Sequence, residues 1–279
     1  MTVQSQLPNL ATIKERQQKA WSTGDYGKVG AKLVLMGELV CEAVDLRPGQ
    51  RVLDVACGNG NASLAAARRY GEVVGIDYVP SLLQEGRERA QAEGLEVDFR
   101  EGDAEDLPFA DASFDVVLST LGTMFAPNQE KVAEELLRVL KSGGKVGMAN
   151  WTPDSFVGEM FKSIGKYVPP PAGLKPPFLW GTEEGLRELF GDRIDSLRTE
   201  RRSFVLRYPS ARYFVDFFRT YYGPMYKTFE ALDEEGRESL EGDVIELVER
   251  FNRSGDETAV FPSDYLEVVA VKRYPRPED

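Results

Sequence analysis

The sequence contains no histidine among its 279 residues. This absence excludes the imidazole general base, the Ser-His and Cys-His nucleophilic pairs, and the usual zinc, copper and non-haem iron sites. Carboxylates, tyrosines, lysines and cysteines remain as candidate catalytic groups. We therefore expect a chemistry that needs neither an imidazole nor a metal ion.

Cysteine, positive charge and long apolar runs are also scarce. Of the two cysteines, Cys41 and Cys57, the second lies inside a glycine turn where a disulfide would obstruct a ligand, which favours a reducing cytoplasm. The N-terminus has no basic start followed by an apolar stretch, and no run of about 18 apolar residues occurs, so we expect neither export nor membrane insertion. The net charge of -12 disfavours nucleic acid and anionic membrane surfaces as partners.

Residues 51–150 alternate short β-rich runs with helical segments, the last helical one being "NQEKVAEELLRVLKSGG". This order predicts an α/β fold with a parallel sheet and crossover helices. The pattern after residue 151 predicts a helix over 182–190, a strand near 200–207, an aromatic helix in "SARYFVDFFRTYYGPMYKTF", an amphipathic helix over roughly 233–253 and a final strand in "DYLEVVAVKRY". Residues 10–45 are predicted to be helical in two pieces, broken by a loop at "STGDYGKVG" over the ligand edge of the sheet.

The stretch "VLDVACGNGN" predicts a strand followed by a ligand-binding turn. Gly58 and Gly60 let the backbone turn sharply and let a ligand approach closely. In open α/β sheets the first strand-to-helix turn faces the ligand crevice. Ser63 occupies the third position of a G-x-G-x-x-G dinucleotide fingerprint, which weakens an NAD interpretation. Asp77 ends the next strand and can accept hydrogen bonds from both hydroxyls of an adenosine ribose, whether of NAD or of another nucleoside.

The third and fourth strands extend this ligand edge. Asp103 follows the third strand and can accept a hydrogen bond from an adenine amino group while the Ala104 region offers a backbone N–H. Adenine would then lie between the second and third strands. The fourth strand ends in "STLGTMF", whose turn should border the reactive part of the ligand.

These residues resemble the class I S-adenosylmethionine-dependent methyltransferases, and most closely the branch of the ubiquinone and menaquinone biosynthesis methyltransferases. The motifs that carry the resemblance are "VLDVACGNGN", "GIDYVPSLL", "GDAEDLPF", "FDVVLSTLGTMF" and "LLRVLKSGGKVGMANW", within about residues 50–151. The resemblance implies a Rossmann-like, seven-stranded, mostly parallel sheet with an antiparallel last strand, helices on both faces and a helical cap. It also implies three regions, a helical segment over 1–50 that covers the cofactor site, the cofactor-binding core over 51–151, and the remaining strands with cap insertions over 152–279.

The resemblance further implies a role for each matching residue. Asp54 and the backbone of Ala56, Cys57, Gly58 and Gly60 would hold the methionine moiety of S-adenosylmethionine. The other implied contacts are Asp77 with the ribose, Tyr78 with an adenine face, Asp103 and Ala104 with the adenine edge, Ser119 and Thr120 with the methionine part, and Tyr26 as a closing group.

The methyl acceptor is expected above the carboxyl ends of strands four and five, bounded by Leu121, Met124, Phe125, Asn150 and Trp151. Two insertions, about 152–181 and 208–256, are rich in aromatic residues such as Trp180 and fit a cap over a small apolar or aromatic acceptor. For any single aromatic residue, and for Trp21, core packing is the favoured alternative. Tyr221 and Tyr222 are the candidates for a base or an orienting hydroxyl.

The predicted activity is transfer of a methyl group to an oxygen, nitrogen or carbon atom of a small molecule, leaving S-adenosylhomocysteine. "STLG" stands where nucleic-acid amino-methyltransferases place an Asp/Asn-Pro-Pro-aromatic tetrapeptide, so nucleic acid is not the expected acceptor. Two alternatives stay open. One is a cofactor-binding regulatory protein without turnover, and the other is a nicotinamide-dependent oxidoreductase.

Overall fold

A computed structural model describes residues 9–275 of the chain, and seven strands in this part form a single sheet. The strands are β1 (Arg51–Val55), β2 (Glu72–Asp77), β3 (Val97–Glu101), β4 (Phe114–Thr120), β5 (Leu140–Trp151), β6 (Ile194–Tyr208) and β7 (Ala259–Lys272). The helices are α1 (Leu10–Trp21), α2 (Tyr26–Gly30), α3 (Val34–Ala43), α4 (Asn61–Arg68), α5 (Pro80–Glu93), α6 (Gln129–Val139), α7 (Phe156–Tyr167), α8 (Glu183–Phe190), α9 (Ala211–Tyr221), α10 (Gly223–Ala231) and α11 (Glu234–Phe251). Short 3-10 turns occupy Thr123–Phe125, Pro177–Gly181 and Gly191–Arg193.

The strand order is β3-β2-β1-β4-β5-β7-β6. The first five strands of that order pair in parallel, and β7 runs antiparallel to both of its neighbours. This arrangement confirms the predicted Rossmann-like sheet with an antiparallel last strand. The order reverses between β1 and β4, and open α/β sheets bind ligands beyond the carboxyl ends of the strands at such a point.

The central strands are buried on both faces because helices cover the sheet on each side. The apolar residues of β1 and β4, such as Val52, Leu53, Val117 and Leu118, are fully buried. This explains why these segments are nearly continuous apolar runs rather than alternating ones. A sheet buried in this way holds the turns at its edge in fixed positions.

The predicted loop at "STGDYGKVG" is confirmed for residues 22–25 and wrong for residues 26–30, which form helix α2. Gly27 and Gly30 are poor helix formers, and the sequence pattern therefore favours a loop. A Cβ atom on Gly27 would lie 1.9 Å from the Glu85 carboxylate of α5. A side chain at this position would displace the Glu85 carboxylate, and contacts of α2 with α5 and α9 form the helix in spite of its weak helix propensity.

Other predicted boundaries also differ from the structure, among them the last strand, which begins at Ala259 rather than at Asp264. The helix after residue 128 ends at Val139, and the pairing of β5 with β4 jumps from Leu140 to Lys145, so the two glycines that end the predicted helical segment lie in an irregular part of the strand. Strand β6 begins at Ile194, six residues before the predicted 200. The aromatic helix is two helices, because Pro224 cannot continue α9.

Helices α7, α9, α10 and α11 form an additional layer at the end of the sheet near β7. Aromatic rings fill its interior, with Phe156 4.4 Å from Phe261 and Phe214 4.3 Å from Phe218 between ring centroids. Many aromatic residues of the predicted cap are therefore core residues of this layer. Within residues 9–275, none of the helices has both the length and the apolar composition that crossing a bilayer requires.

Candidate functional site

Two adjoining cavities lie at the carboxyl ends of the central strands. The strand-end cavity is lined by Trp21, Tyr26, Ala56, Cys57, Gly58, Asn59, Asn61, Asp77, Tyr78, Val79, Leu82, Ala104, Thr120, Leu121, Gly122, Thr123, Phe125 and Ala126. The aromatic cavity is lined by Trp21, Tyr26, Val29, Lys32, Leu33, Leu121, Phe125, Trp151, Val157, Met160, Leu206, Tyr208, Phe218 and Tyr222. Four residues, Trp21, Tyr26, Leu121 and Phe125, line both and form their shared wall.

The two glycines after β1 serve different purposes. A Cβ atom on Gly58 would point toward the Tyr26 ring with its nearest atom 3.7 Å away, so Gly58 keeps the floor of the strand-end cavity open. A Cβ atom on Gly60 would lie 2.7 Å from the Phe99 ring, so Gly60 makes room for protein packing. Both have positive φ angles, of +55° and +85°. Only glycine adopts such angles without strain.

Asp77 is the carboxylate of the strand-end cavity. Its Oδ2 accepts a hydrogen bond from the Gly58 N–H at 2.9 Å, and its Oδ1 accepts one from the Val79 N–H at 2.9 Å. Burial raises its pKa, and these backbone bonds oppose the rise. A carboxylate has about four acceptor positions, so two remain for a ligand. The protein therefore fixes the direction of this carboxylate and leaves it able to accept two more hydrogen bonds.

Asp54 lies below the cavity rather than in its lining. The Ser63 hydroxyl donates to its Oδ2 at 2.6 Å, while its buried Oδ1 has no hydrogen-bond partner in the described part of the chain. Ser63 stands at the third glycine position of the dinucleotide fingerprint, and its hydroxyl there holds the Asp54 carboxylate in place. Burial raises the pKa of Asp54 to about 7, although the bond from Ser63 lowers it.

The raised pKa of Asp54 predicts a specific pH dependence of stability. Between its ordinary value of about 3.9 and a value of about 7, the folded protein keeps a proton that the unfolded chain has lost. The contribution of Asp54 to the free energy of unfolding therefore falls as the pH rises through this window, by up to about 4 kcal/mol. We expect Asp54→Asn to melt near the wild-type temperature at pH 5 and above it at pH 7.5. Parallel melting profiles for the two proteins would contradict this, and the exposed-site variant Asp98→Asn should keep the wild-type slope.

Asp103 has a partner that the sequence did not reveal. Lys14 of α1 contacts its Oδ2 at 2.5 Å and also reaches Glu105 at 2.5 Å. The Asp103 Oδ1 accepts from the Glu105 N–H at 2.9 Å. Asp103 is absent from the lining of the strand-end cavity, whereas its neighbour Ala104 is part of it. If Asp103 contacts the edge of the adenine as predicted, it would have to do so while it is paired with Lys14.

Helix α1 covers the strand-end cavity. Gln18 donates to the Tyr78 carbonyl oxygen at 2.6 Å, and Gln17 donates to the Phe125 carbonyl oxygen at 3.0 Å. Trp21, expected to be a core residue, instead stands in the wall of both cavities, with edge-on contacts to Tyr26 and Tyr222 at 5.5 Å. Burial, and then the charge of Asp77, raises the pKa of Tyr26 to about 12, so its hydroxyl stays neutral.

The two predicted residues at the end of β4, Ser119 and Thr120, face opposite sides of the sheet because side chains alternate along a strand. Thr120 lines the strand-end cavity, whereas Ser119 is buried and its hydroxyl accepts from the Thr123 N–H and hydroxyl at 3.3 and 3.0 Å. The next residue, Leu121, has φ +60°, a strained angle for a side chain of this size. Such strain at the shared wall fits a position whose geometry is fixed for a ligand.

The predicted acceptor residues are only partly brought together. Phe125 and Trp151 line the aromatic cavity. Asn150 points to the opposite sheet face from Trp151, and both of its amide atoms are buried without a hydrogen-bond partner among residues 9–275. Trp180 is fully buried against Phe190. Met124 is also buried and borders a surface groove beside α7 that shares Trp21, Phe125 and Ala126 with the strand-end cavity.

The two predicted tyrosines at the end of α9, Tyr221 and Tyr222, also lie in different surroundings. Tyr222 is buried and lines the aromatic cavity, where burial raises its pKa well above the ordinary value. Tyr221 is outside both linings, its ring packs at a tilt against Phe217 with centroids 4.9 Å apart, and its carbonyl oxygen accepts from the Asp25 N–H at 3.1 Å. Only Tyr222 of the two can therefore contact a ligand in the aromatic cavity.

Several lining residues were missed by the sequence prediction. They are Val29, Lys32, Leu33, Val157, Met160, Leu206, Tyr208 and Phe218. Tyr208 ends β6 just before Pro209, and a tyrosine at a strand end was the available signal. Lys32 lies between α2 and α3, in a segment where no local pattern indicated a site.

The remaining predicted group, Cys57, is a weak candidate nucleophile. Its thiol donates to the Gly58 carbonyl oxygen at 3.6 Å. Burial, followed by the charges of Asp54 and Asp77, raises its pKa well above the ordinary value. A thiol that stays protonated is a poor nucleophile. Cys57 therefore contributes its backbone and a small side chain to the cavity wall.

Comparison with known proteins identifies relatives of this chain. A family model described as a methyltransferase domain matches residues 52–144. An uncharacterized protein of Mycobacterium tuberculosis is 36% identical over 277 residues, which cover 98% of this chain and 100% of the relative. Demethylmenaquinone methyltransferase of Bacillus cytotoxicus is 35% identical over 133 residues, or 46% of this chain and 56% of that enzyme. The solved structure of the YcgJ protein of Bacillus subtilis has a TM-score of 0.61 and 19% identity, over 86% of this chain and 99% of that protein.

Proposed function

Because the chain belongs to the class I S-adenosylmethionine-dependent methyltransferase family, we propose that it transfers a methyl group from S-adenosylmethionine to a small apolar or aromatic acceptor. The observation that carries this proposal is the shared wall between the two cavities. A donor in the strand-end cavity and an acceptor in the aromatic cavity would meet at Trp21, Tyr26, Leu121 and Phe125.

The residues of the strand-end cavity fit S-adenosylmethionine. Asp77 offers two free acceptor positions to the ribose hydroxyls, and Gly58 leaves the turn open for the methionine part. Tyr78 and Ala104 would contact the adenine, and Thr120 with the backbone of Ala56 would contact the methionine part. Asp54 would act from beneath, through its unpartnered Oδ1, on the positive charge of the ligand.

The same cavity fits a dinucleotide poorly. No Lys or Arg lines the described strand-end cavity, and its charged side chain is Asp77. A cavity whose charged side chain is a carboxylate suits a cationic sulfonium ligand better than an anionic pyrophosphate, while Asp77 could accept the ribose hydroxyls of either ligand. The third glycine of a pyrophosphate-binding turn is replaced by Ser63, whose hydroxyl is hydrogen-bonded to Asp54. Both features favour S-adenosylmethionine over NAD.

The residues of the chain would contribute to the reaction by aligning the donor with the acceptor and by excluding water from the site. When bound, S-adenosylmethionine supplies a methyl group that is already activated by the positive charge of its sulfur. The rigid turns at Gly58 and Leu121 would hold the donor in line, and the aromatic wall of Trp21, Tyr26 and Phe125 would exclude water. The Tyr222 hydroxyl, kept neutral by burial, would orient the acceptor by a hydrogen bond.

The regional division predicted from sequence becomes part of this proposal. Residues 9–50 cover the donor, residues 51–151 bind it, and residues 152–275 contribute Val157, Met160, Tyr208, Phe218 and Tyr222 to the acceptor side. Both cysteines are free thiols, which supports the proposal of a reducing, cytoplasmic compartment.

The test is a screen with deuteromethyl-labelled S-adenosylmethionine, a metabolite extract and purified protein. We expect mass spectrometry to find a small molecule that has gained the labelled methyl group, and to find none with Asp77→Ala. Binding of S-adenosylhomocysteine without any labelled product would favour a regulatory protein without turnover. Binding of NADH in place of S-adenosylhomocysteine would favour the oxidoreductase.

A further inference from the structure

The far side of the aromatic cavity carries a buried hydroxyl with no partner. Tyr208 is 5% exposed, and its hydroxyl oxygen makes no hydrogen bond within residues 9–275. Its ring is held by Phe214 at 5.1 Å and by Phe217 at 5.7 Å. Buried hydroxyls are normally satisfied, so an unsatisfied one in a cavity wall points to a ligand. Burial raises the pKa of Tyr208 well above its ordinary value, so the hydroxyl remains a donor.

Lys32 is exposed at the rim of the cavity, and its ammonium lies over the ring of Tyr208. Its Nζ lies 5.6 Å from the centre of the Tyr208 ring and 5.1 Å from that of Phe217. Lys32 is the charged residue of the aromatic cavity, whose described lining contains no Asp or Glu. Within the same described residues its ammonium forms no ion pair with a carboxylate. The far side of the cavity thus offers the Tyr208 hydroxyl and one cation, and the described lining adds no carboxylate.

Both groups lie away from the shared wall, because neither lines the strand-end cavity. A ligand that spans the aromatic cavity would present one end to the donor and the other to Tyr208 and Lys32. Aromatic walls alone also suit a cationic amine. Such an amine would be repelled by the Lys32 ammonium and would find no carboxylate in the described lining. An anionic oxygen would instead be attracted by Lys32 and could accept a hydrogen bond from the Tyr208 hydroxyl.

We propose that Tyr208 and Lys32 recognise an anionic oxygen, such as a carboxylate, on an aromatic acceptor whose methylated atom lies at the opposite end. This inference rests on the proposed function and narrows its acceptor to aromatic acids. Tyr208 supplies a hydrogen bond to the oxygen, and Lys32 supplies the charge. The aromatic rings that line the cavity hold the flat part of the acceptor.

The test compares acids with their neutral and cationic analogues. The probes are 4-hydroxybenzoate and 4-hydroxycinnamate, the methyl ester of each, and tyramine, titrated by calorimetry into protein saturated with S-adenosylhomocysteine. We expect at least one acid to bind about tenfold more tightly than its ester, as a charge-assisted hydrogen bond provides. Tyramine should bind more weakly than the ester.

Two variants assign this preference to its residues. Lys32→Met and Tyr208→Phe should each reduce the acid-to-ester ratio by at least about fivefold and change ester affinity less than twofold. Lys28→Met and Tyr213→Phe, at exposed positions nearby, should leave the ratio unchanged. Tyr208→Phe removes a hydroxyl without a partner, so its melting temperature should not fall.

Several outcomes would overturn the inference. They are esters binding as tightly as every acid, tyramine binding best, no acid binding at all, or an acid preference that survives both variants. If S-adenosylhomocysteine saturates the protein and the acids are not preferred, the inference alone fails. If S-adenosylhomocysteine does not bind, the proposed function fails, and the inference that rests on it is overturned with it.

Discussion

Replacement of Asp77 by alanine should abolish measurable binding of S-adenosylmethionine. The wild-type carboxylate is oriented by the N–H groups of Gly58 and Val79, and its remaining acceptor positions suit two ribose hydroxyls. Hydrogen bonds to a charged group contribute about 1.5–3 kcal/mol each, so loss of both should weaken binding about 10²- to 10⁴-fold. Calorimetric titration with S-adenosylmethionine measures this loss directly.

The Asp77 experiment needs controls for folding and for charge. Other backbone bonds, such as that from the Cys57 N–H to the Ile76 carbonyl oxygen, keep the turn in place, so circular dichroism of Asp77→Ala should match wild type. Asp98→Ala removes an exposed carboxylate from the neighbouring strand β3 and should bind normally. If Asp77→Ala unfolds, Asp77→Asn supplies the same test. Unchanged affinity in a folded variant would refute the ribose assignment.

Replacement of Val157 by phenylalanine should stop methyl transfer without affecting the donor. Val157 lines the aromatic cavity and not the strand-end cavity, so the larger side chain fills only the acceptor side. Because misplacement of a reactant by about 1 Å can cost about 100-fold in rate, we expect turnover to fall by at least that factor. Affinity for S-adenosylhomocysteine should stay within about twofold, since charges and donors of the strand-end cavity are unchanged. Label transfer to the acceptor and calorimetry give the two values.

The matched control is Val168→Phe, at an exposed position just after the same helix α7. It adds the same side chain outside the aromatic cavity and should leave turnover unchanged. Overpacking can destabilise a protein by about 1–3 kcal/mol, so melting temperatures of both variants must be compared. Equal losses of donor affinity and turnover in Val157→Phe would contradict the assignment of separate donor and acceptor cavities.

The part of the site that sequence predicts best is the part built from local geometry. Gly58 lies in a turn whose length and φ angles follow from the strand-glycine-helix pattern, and Asp77 ends a strand of clear apolar character. The parallel order of β1 to β5 then places both at the same edge of the sheet. Local pattern and topology together were therefore sufficient for this side of the cavity.

The acceptor side depends on contacts between distant segments, which one sequence does not reveal. Lys14 reaches Asp103 across 89 positions, and α1 brings Trp21 into the shared wall. Strand alternation, applied more strictly, would have separated Asn150 from Trp151. Tyr208 and Lys32 meet only because β6 ends beside the loop between α2 and α3.

Calorimetric titration of the wild-type protein with S-adenosylhomocysteine, repeated with NADH, tests the central assignment most directly. If the strand-end cavity is a cradle for S-adenosylmethionine, S-adenosylhomocysteine should bind saturably at one site per chain, S-adenosylmethionine should compete with it, and NADH should give no binding signal. Saturable binding of NADH, with none of S-adenosylhomocysteine, would contradict the assignment.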